Sequence, residues 1–410
     1  MIKRVHTLRE ALARTALSAS SALAHCPLLV SRYKYPAGHY RPSHHYSSHS
    51  QPFHQDKSAT MAVIRTQLTD MFNIPHPVLL AGMFVASGPR LAAAVTNAGG
   101  LGVIGGLALN PKQLRTQIAE LKSFLNDKSA PFGIDLALPK IGGGARATNH
   151  DYTHGHLNEL IDIIVEEKAA LFVCAIGVCP PEVVEKLHKG GVKVANMIGH
   201  PKHVGPVVKA GVDIVIAQGG EGGGHTGDIP FSVLIPAVVD ACSSLKTKKG
   251  NSVCVLAAGG VNDGRSLAAA LMYGAQGVWV GTRFVASEEA AAPKMHKQQI
   301  ISAKAGDTTR TLIYSGRPLR VRNTPYVTEW NETRAQEIAD LTSRGIIPHD
   351  HELSKKPERS IEGKLWLMGE VAGSITEVLP AKVIVDQMVD GAKRCIQGGV
   401  STLNGGAARL

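Results

Sequence analysis

The sequence predicts an α/β protein whose eight parallel strands alternate with helices and close into a barrel. A helical C-terminal segment packs on that barrel or caps its mouth. Three observations predict this. Short apolar runs recur at regular spacing, and stretches with helical start and stop signals separate them. The glycine-rich motifs fall directly after the runs, where a barrel of this kind places its ligand-binding loops.

The runs begin near Val78, Leu101, Phe132, Ala170, Val192, Ile214, Val253 and Gly277. Each has four to six residues rich in Val, Ile, Leu or Ala, as expected of parallel strands covered on both faces. Helices are predicted over 90–97, 112–125, 157–168, 182–188, 204–209, 233–243 and 265–273. Asn110-Pro111 is a helix start and Gly190-Gly191 a helix stop. Eight βα units in about 210 residues favour a closed (β/α)8, or TIM, barrel over a doubly wound open sheet, which would have fewer strands. Beyond the barrel, helices are predicted over 287–304 and 380–396, around a polar segment. The expected organisation is therefore a basic leader over 1–60, the barrel over 61–285, and a helical extension over 286–410 that completes the same domain.

Composition narrows the function classes. The chain has 410 residues, 44% apolar and 19% charged, with 43 glycines. That fits one barrel of roughly 250 residues with extensions. Only 5% is aromatic, which argues against a stacking platform for single-stranded nucleic acid. The net charge is +11, but the first 60 residues hold eight Lys/Arg against two Asp/Glu. The rest of the excess is spread without a basic run, so no nucleic-acid partner is expected. The six cysteines form no C-x-x-C pair and have no zinc-finger spacing. Reduced thiols, an intracellular compartment and no structural metal are expected. Residues 91–111 are uncharged but contain Gly99, Gly100, Gly102, Gly105 and Gly106. They read as helix, turn and strand, not as a membrane span.

The leader differs from everything after it. It holds seven of the 18 histidines and nine serines, and Leu8, Ala11, Leu12 and Leu17 mix with Arg9 and Arg14. An amphipathic, basic, acid-poor segment is the profile of a mitochondrial presequence. A tail without a targeting role, leaving the protein cytoplasmic, is the alternative. Ala408-Arg409-Leu410 loosely matches the peroxisomal S-K-L tripeptide. Met61 makes a natural start for the folded part.

The chemistry-bearing residues follow the strands. After the sixth run comes Gln218-Gly219-Gly220-Glu221-Gly222-Gly223-Gly224-His225-Thr226-Gly227, six glycines in the nine residues from Gly219. So much backbone freedom costs chain entropy and suits a loop that approaches a ligand closely. His225 is its candidate acid/base; an incidental histidine in a flexible loop is the alternative. After the seventh run comes Gly259-Gly260-Val261-Asn262-Asp263, and the eighth ends in Gly281-Thr282-Arg283-Phe284. Backbone N–H groups at such turns bind phosphate, and barrels place phosphate after strands seven and eight. Leu80-Ala81-Gly82-Met83 and Gly105-Gly106 leave room for a flat ring over the mouth, although Met83 also suits the core. Asp135 ends an apolar strand and needs a partner, either a ligand N–H or a nearby Lys or Arg. Glu221 either pairs with the base or faces solvent. His150, His154 and His156 sit in a polar loop without metal-ligand spacing.

Taken together, these segments resemble the nitronate monooxygenases, also called the 2-nitropropane dioxygenase family. The residues that carry the resemblance are 77–83, 97–102, 218–225, 256–261 and 281–284, with Ser315-Gly316-Arg317-Pro318, Arg322-Asn323 and 369–373. It covers about residues 70–395. It implies a barrel with non-covalent FMN, whose phosphate meets Gly259, Gly260, Gly281 and Thr282. Ala81, Gly82 and Met83 would line the flavin ring, with Asp135 a further flavin contact and Gln218 and Gly223 closing the site. His225 matches the family's catalytic base. The implied reaction is oxidation of an alkyl nitronate by flavin and O2 to a carbonyl compound and nitrite, with His225 first taking the α-proton of a neutral nitroalkane. Two positions depart from the pattern. Gly222 stands where many members have Ala, and Asp135 where many have Asn. A homodimer is compatible with the resemblance. The alternatives are an NAD(P)H-dependent FMN reductase of the enoyl-thioester reductase type, a non-flavin phosphate-binding barrel lyase or isomerase, and a non-catalytic flavin-binding module. The lyase or isomerase needs a catalytic lysine or paired carboxylates at the strand ends, and Lys140 and Lys193 have no evident partner.

Overall fold

The computed structural model describes residues 64–403, so the expectations for the leader and for the terminal tripeptide lie outside the described residues. The strands start where the apolar runs place them. They are β1 (Val78–Leu80), β2 (Gly102–Gly105), β3 (Phe132–Ala137), β4 (Leu171–Ala175), β5 (Lys193–Ile198) and β6 (Ile214–Gln218). A two-residue strand, β7 (Gly224–His225), lies outside the barrel, and β8 (Cys254–Ala258) and β9 (Val278–Val280) complete it. The barrel order is β1-β9-β8-β6-β5-β4-β3-β2, all parallel. A bridge between Leu79 and Leu101 joins β1 to the start of β2. There the Leu101 N–H donates to Val78 O at 3.1 Å and the Leu80 N–H to Leu101 O at 3.0 Å. The ring is closed.

Strand alternation explains the two cores. Leu79, Leu101, Val103, Leu171, Val173, Ile214, Ile216 and Leu256 point inward and fill the barrel. Their neighbours point outward against α2 (Pro89–Asn97), α3 (Pro111–Phe124), α4 (Leu157–Glu166), α5 (Pro181–Lys189), α6 (Val204–Ala210), α7 (Phe231–Ser243) and α8 (Gly264–Met272). The start signals work as their chemistry requires. The Asn110 side chain accepts from Gln113 N, with Pro111 at the first position of α3. Asp263 accepts from the Arg265 and Ser266 N–H groups and opens α8. One helix escaped the periodicity: α1 (Gln67–Phe72) is only six residues long. Its Leu68 and Phe72 join the inner core. Thr66 Oγ1 donates to Gln276 O at 2.7 Å, so α1 plugs the end of the barrel where the strands begin.

The C-terminal part departs from expectation. After the short α9 (Thr282–Val285), the predicted helix over 287–304 is helical only in α10 (Lys294–Ile301). Residues 287–293 are not helical; Ser287 bridges Leu379 and Glu288 N donates to Leu379 O at 3.0 Å. Pro293, which lacks an N–H, sets the start of α10. The polar segment is structured. It forms β10 (Thr308–Thr311), β11 (Leu319–Arg322), α11 (Pro325–Thr333), α12 (Ala335–Ser343) and α13 (Pro348–Lys355). These elements have their own core of Ile313, Leu319, Val321, Tyr326, Val327, Trp330, Ile338 and Leu341. The Arg334 guanidinium lies 3.4 Å from the Trp330 ring centroid. The last helix, α14 (Ala381–Ser401), packs on α8 and α2. Among the described residues no helix is long and apolar enough to cross a membrane.

Candidate active site

A small antiparallel sheet builds the site. β10 pairs with β11, and β11 pairs with β7, placing Leu319 opposite His225 and Arg320 opposite Gly224. The glycine loop after β6 is thereby pinned to the C-terminal cap. The Gln218 side chain donates to His225 O at 3.0 Å, fixing the backbone of the histidine. Gly223 lies against the 368–369 backbone, where an added Cβ would be 2.6 Å from Gly369 N. Gly369 N donates to Thr282 Oγ1 at 2.9 Å. Gln218, Gly223, His225 and Thr282, named from the sequence, therefore meet through one connected set of contacts. Glu221 does neither thing expected of it. Its carboxylate accepts from Phe231 N at 3.0 Å and caps α7.

His225 is half-buried, and its Nε2 lies 2.9 Å from the Ser315 hydroxyl. Burial, and after it the positive charge of Arg317, lower the imidazole to about 4. A histidine in that state is neutral at ordinary pH and able to accept a proton. Arg317 is also half-buried. Its Nη1 donates to Asn149 Oδ1 at 3.0 Å and its Nη2 to Ile176 O at 3.3 Å, and it forms no ion pair among the described residues. Ile176 has φ 73, and Gly177 N donates across it to Ala175 O at 2.9 Å. Such a left-handed γ-turn on a β-branched residue is strained, and here it aims a carbonyl at the guanidinium. Fully buried Asn196 holds the turn, accepting from Cys179 N and donating to Gly177 O, each at 2.8 Å.

At the other side of the mouth, Ala81 continues β1 and donates its N–H to Val280 O at 2.9 Å. Met83 packs on both barrel cores while staying half-buried, so both roles considered for it are compatible with its position. An added Cβ on Gly281 would lie 3.5 Å from Met83 Sδ and 3.8 Å from Ala81 Cβ, which puts Ala81, Met83 and Gly281 together. At Gly82 a Cβ would sit 2.3 Å from Asp135 Cβ, so glycine is required for the first loop to lie over that carboxyl. Asp135 is 6% exposed and has neither the Lys nor the Arg partner that one expectation gave it. Burial pushes its carboxyl well above the usual range. Cys174 in β4 and Cys254 in β8, each within an apolar strand, are fully buried.

The observations that bear on a bound flavin are the cradle and its donors. Gly259 and Gly260 have φ 84 and 71. The N–H groups of Gly260, Val261, Thr282 and Arg283 donate to no other described residue. N–H groups without acceptors among the described residues, at two adjacent strand ends, suit a phosphate. The buried Asp135 carboxyl beneath Gly82, without an ion-pair partner among the described residues, suits a polar ring edge. The residues present fit the group. A separate polar cavity of about 140 Å³ lies between these turns and α14, lined in part by Asn262, Asp263, Arg283 and Glu377. None of its lining residues comes from the histidine loop. Among the described residues no cluster of His, Cys, Asp or Glu could hold a metal ion. Lys193 lies 3.7 Å from Asp213 at the start of β5, the wrong end of the barrel for a lyase base.

Residues 65–391 match the family model described as nitronate monooxygenase. The chain belongs to the nitronate monooxygenase family. With the family comes the enzyme class: the protein is a flavin-dependent oxidoreductase. It is similar to a "(3aS,4S,5R,7aS)-5-hydroxy-7a-methyl-1-oxo-octahydro-1H-indene-4-carboxyl-CoA dehydrogenase" of Rhodococcus jostii, 39% identical over 268 residues, 65% of this chain and 68% of that one. A "Probable nitronate monooxygenase" of Staphylococcus aureus is 30% identical over 302 residues, 65% of this chain and 81% of its own. Among solved structures, FabK from Thermotoga maritima has a TM-score of 0.68 and 31% identity, covering 83% of this chain and 99% of FabK.

Four residues of the site were missed by the sequence reasoning. Ser315 and Arg317 stood inside a segment quoted for the resemblance without a role. Asn149 and Asn196 carried no signal, because a buried Asn in a strand and a polar residue in a loop look ordinary until the chain folds.

Proposed function

We propose that this chain is an FMN-dependent nitronate monooxygenase that oxidises alkyl nitronates with O2 to a carbonyl compound and nitrite. One observation carries the proposal: a neutral histidine on a glycine loop, held by a hydroxyl and flanked by an arginine without an ion pair among the described residues, stands at the mouth of a flavin-type barrel. Gly259, Gly260, Gly281 and Thr282 would hold the FMN phosphate, and Ala81, Gly82, Met83 and Asp135 would meet the ring. When bound, the flavin takes up the substrate's electrons and passes them to O2.

The protein's own part is proton handling and orientation. With a neutral nitroalkane, the His225 imidazole takes the α-proton while Ser315 and Gln218 hold its ring and backbone in place. A preformed nitronate needs no such step. His225→Asn is therefore expected to slow turnover of nitroethane by roughly 100- to 10,000-fold, the usual worth of a general base, and to affect ethylnitronate much less. Equal losses on both substrates would remove the proton-abstraction role.

A second proposal, an NAD(P)H-dependent reductase or dehydrogenase acting on acyl thioesters, is favoured by the CoA-linked dehydrogenase at 39% identity. A nitronate that bleaches the flavin without NADH separates the two. Under either reading of the substrate, we propose that residues 1–60 are a mitochondrial presequence, on their basic amphipathic composition, that residues 61–410 form barrel and extension of one domain, and that the protein assembles as a homodimer.

A further inference from the structure

We infer that Arg317 is the anion-recognition residue of this site, receiving the two oxygens of a planar oxyanion at the substrate's reacting end. The inference rests on the proposed chemistry only for the identity of that anion. Three observations support it. Arg317 is a half-buried cation without a carboxylate partner among the described residues. A buried charge left without its counter-ion is costly, and a ligand anion is the partner that relieves the cost. The protein also spends structure on holding it there. The strained γ-turn at Ile176 supplies a carbonyl at 3.3 Å, and Asn149 supplies an amide oxygen at 3.0 Å. Neutral acceptors fix the fork without neutralising it. Finally, Arg317 is two residues from Ser315, whose hydroxyl lies 2.9 Å from His225 Nε2, so the turn between β10 and β11 brings the receiver of the charge beside the acceptor of the proton.

The chemistry balances. In a nitroalkane the α-C–H bond breaks and its proton passes to the His225 imidazole. The bonding pair forms the C=N bond, and the displaced N=O pair leaves negative charge on the two nitro oxygens. A guanidinium presents parallel N–H groups that match such a planar O–N–O edge, which a lysine ammonium does not. An acyl-thioester enolate has a single oxygen and would use the fork only in part. Arg317 thereby biases the site toward nitronates.

Nitrate, a planar oxyanion that cannot be oxidised here, is a suitable probe for calorimetric titration of the flavin-loaded protein. Wild type is expected to bind it, Arg317→Gln to weaken binding by roughly 10- to 100-fold, and Arg317→Lys to fall between. KM for ethylnitronate should rise in the same order. Melting temperatures show whether each variant is folded, and if Arg317→Gln does not fold, the Arg317→Lys titration decides. A wild-type protein that does not bind nitrate overturns the inference, as does a folded variant whose affinity stays within about twofold of wild type. Arg317-dependent nitrate binding in a protein that leaves nitronates untouched would support the anion site and remove the proposed function instead. Nitronate oxidation with KM unchanged in Arg317→Gln would do the reverse.

Discussion

The state of His225 makes a prediction that pH alone can test. Burial and then Arg317 lower its imidazole to about 4, where an ordinary histidine titrates at 6.5. A base works only while neutral, so its activity is present above the folded-state value and lost as pH falls through it. At pH 5.5 about 97% of the site would be competent with the lowered value, and only about 9% with the ordinary one. The assay is kcat/KM against pH for a neutral nitroalkane, because that ratio reports ionisations of the free enzyme. The expected acid limb lies near pH 4. Arg317→Gln removes the smaller of the two causes, so its limb should move up but remain below 6.5. A wild-type limb at 6.5 would show that His225 is not the base or is not buried as described.

The other predictions concern what holds the site together. Gly82→Ala places a Cβ 2.3 Å from Asp135 Cβ, and overpacking of that kind costs about 1–3 kcal/mol. Flavin absorbance per chain after gel filtration should drop and the melting temperature fall, whereas full occupancy at an unchanged melting temperature contradicts the cradle. Asn196→Ala strands Cys179 N and Gly177 O behind Arg317, about 1–3 kcal/mol for each buried group left unpaired. Urea midpoints should fall and nitronate KM should rise, and a stable variant with normal KM would show that the brace is dispensable. In the cap, burial alone would raise the Glu352 carboxyl, but Arg334 and Arg359 hydrogen-bond it at 3.0 and 2.7 Å and bring it down to about 2. Its stabilisation is therefore complete above the unfolded value of 4.5 and lost as pH falls toward 2. Thermal melts of Glu352→Gln should be flatter than wild type across that window, and parallel curves would refute the linkage.

Much of the barrel was legible because buried parallel strands are written as uninterrupted apolar runs, and each of the eight begins within one residue of its run. The helices between them carried Pro, Asn and Gly signals that act locally, so Asn110 and Gly190 could be read without tertiary knowledge, whereas the capping role of Asp263 was not. The extension was harder. Residues 287–293 are turned out of a helix by a long-range bridge with Leu379, and the cap's core gathers Tyr326 and Trp330 with Ile313, Leu319 and Val321 from short elements that no single periodic run announces. In the site, glycines and His225 stood out because their composition is unusual for any loop. Ser315, Arg317 and Asn196 did not, because their meaning lies in contacts across the barrel mouth. Glu221 was open between pairing with the base and facing solvent, and its carboxylate instead accepts from Phe231 N at the start of α7.

The most direct test of the central claim is an absorbance spectrum of the purified chain, followed by anaerobic mixing with ethylnitronate and, separately, with NADH. The account predicts a yellow protein whose flavin is bleached by the nitronate alone and released as FMN on denaturation. Bleaching by NADH but not by nitronate would contradict the proposed substrate and favour the reductase. A colourless protein that takes up no added FMN would contradict the account as a whole.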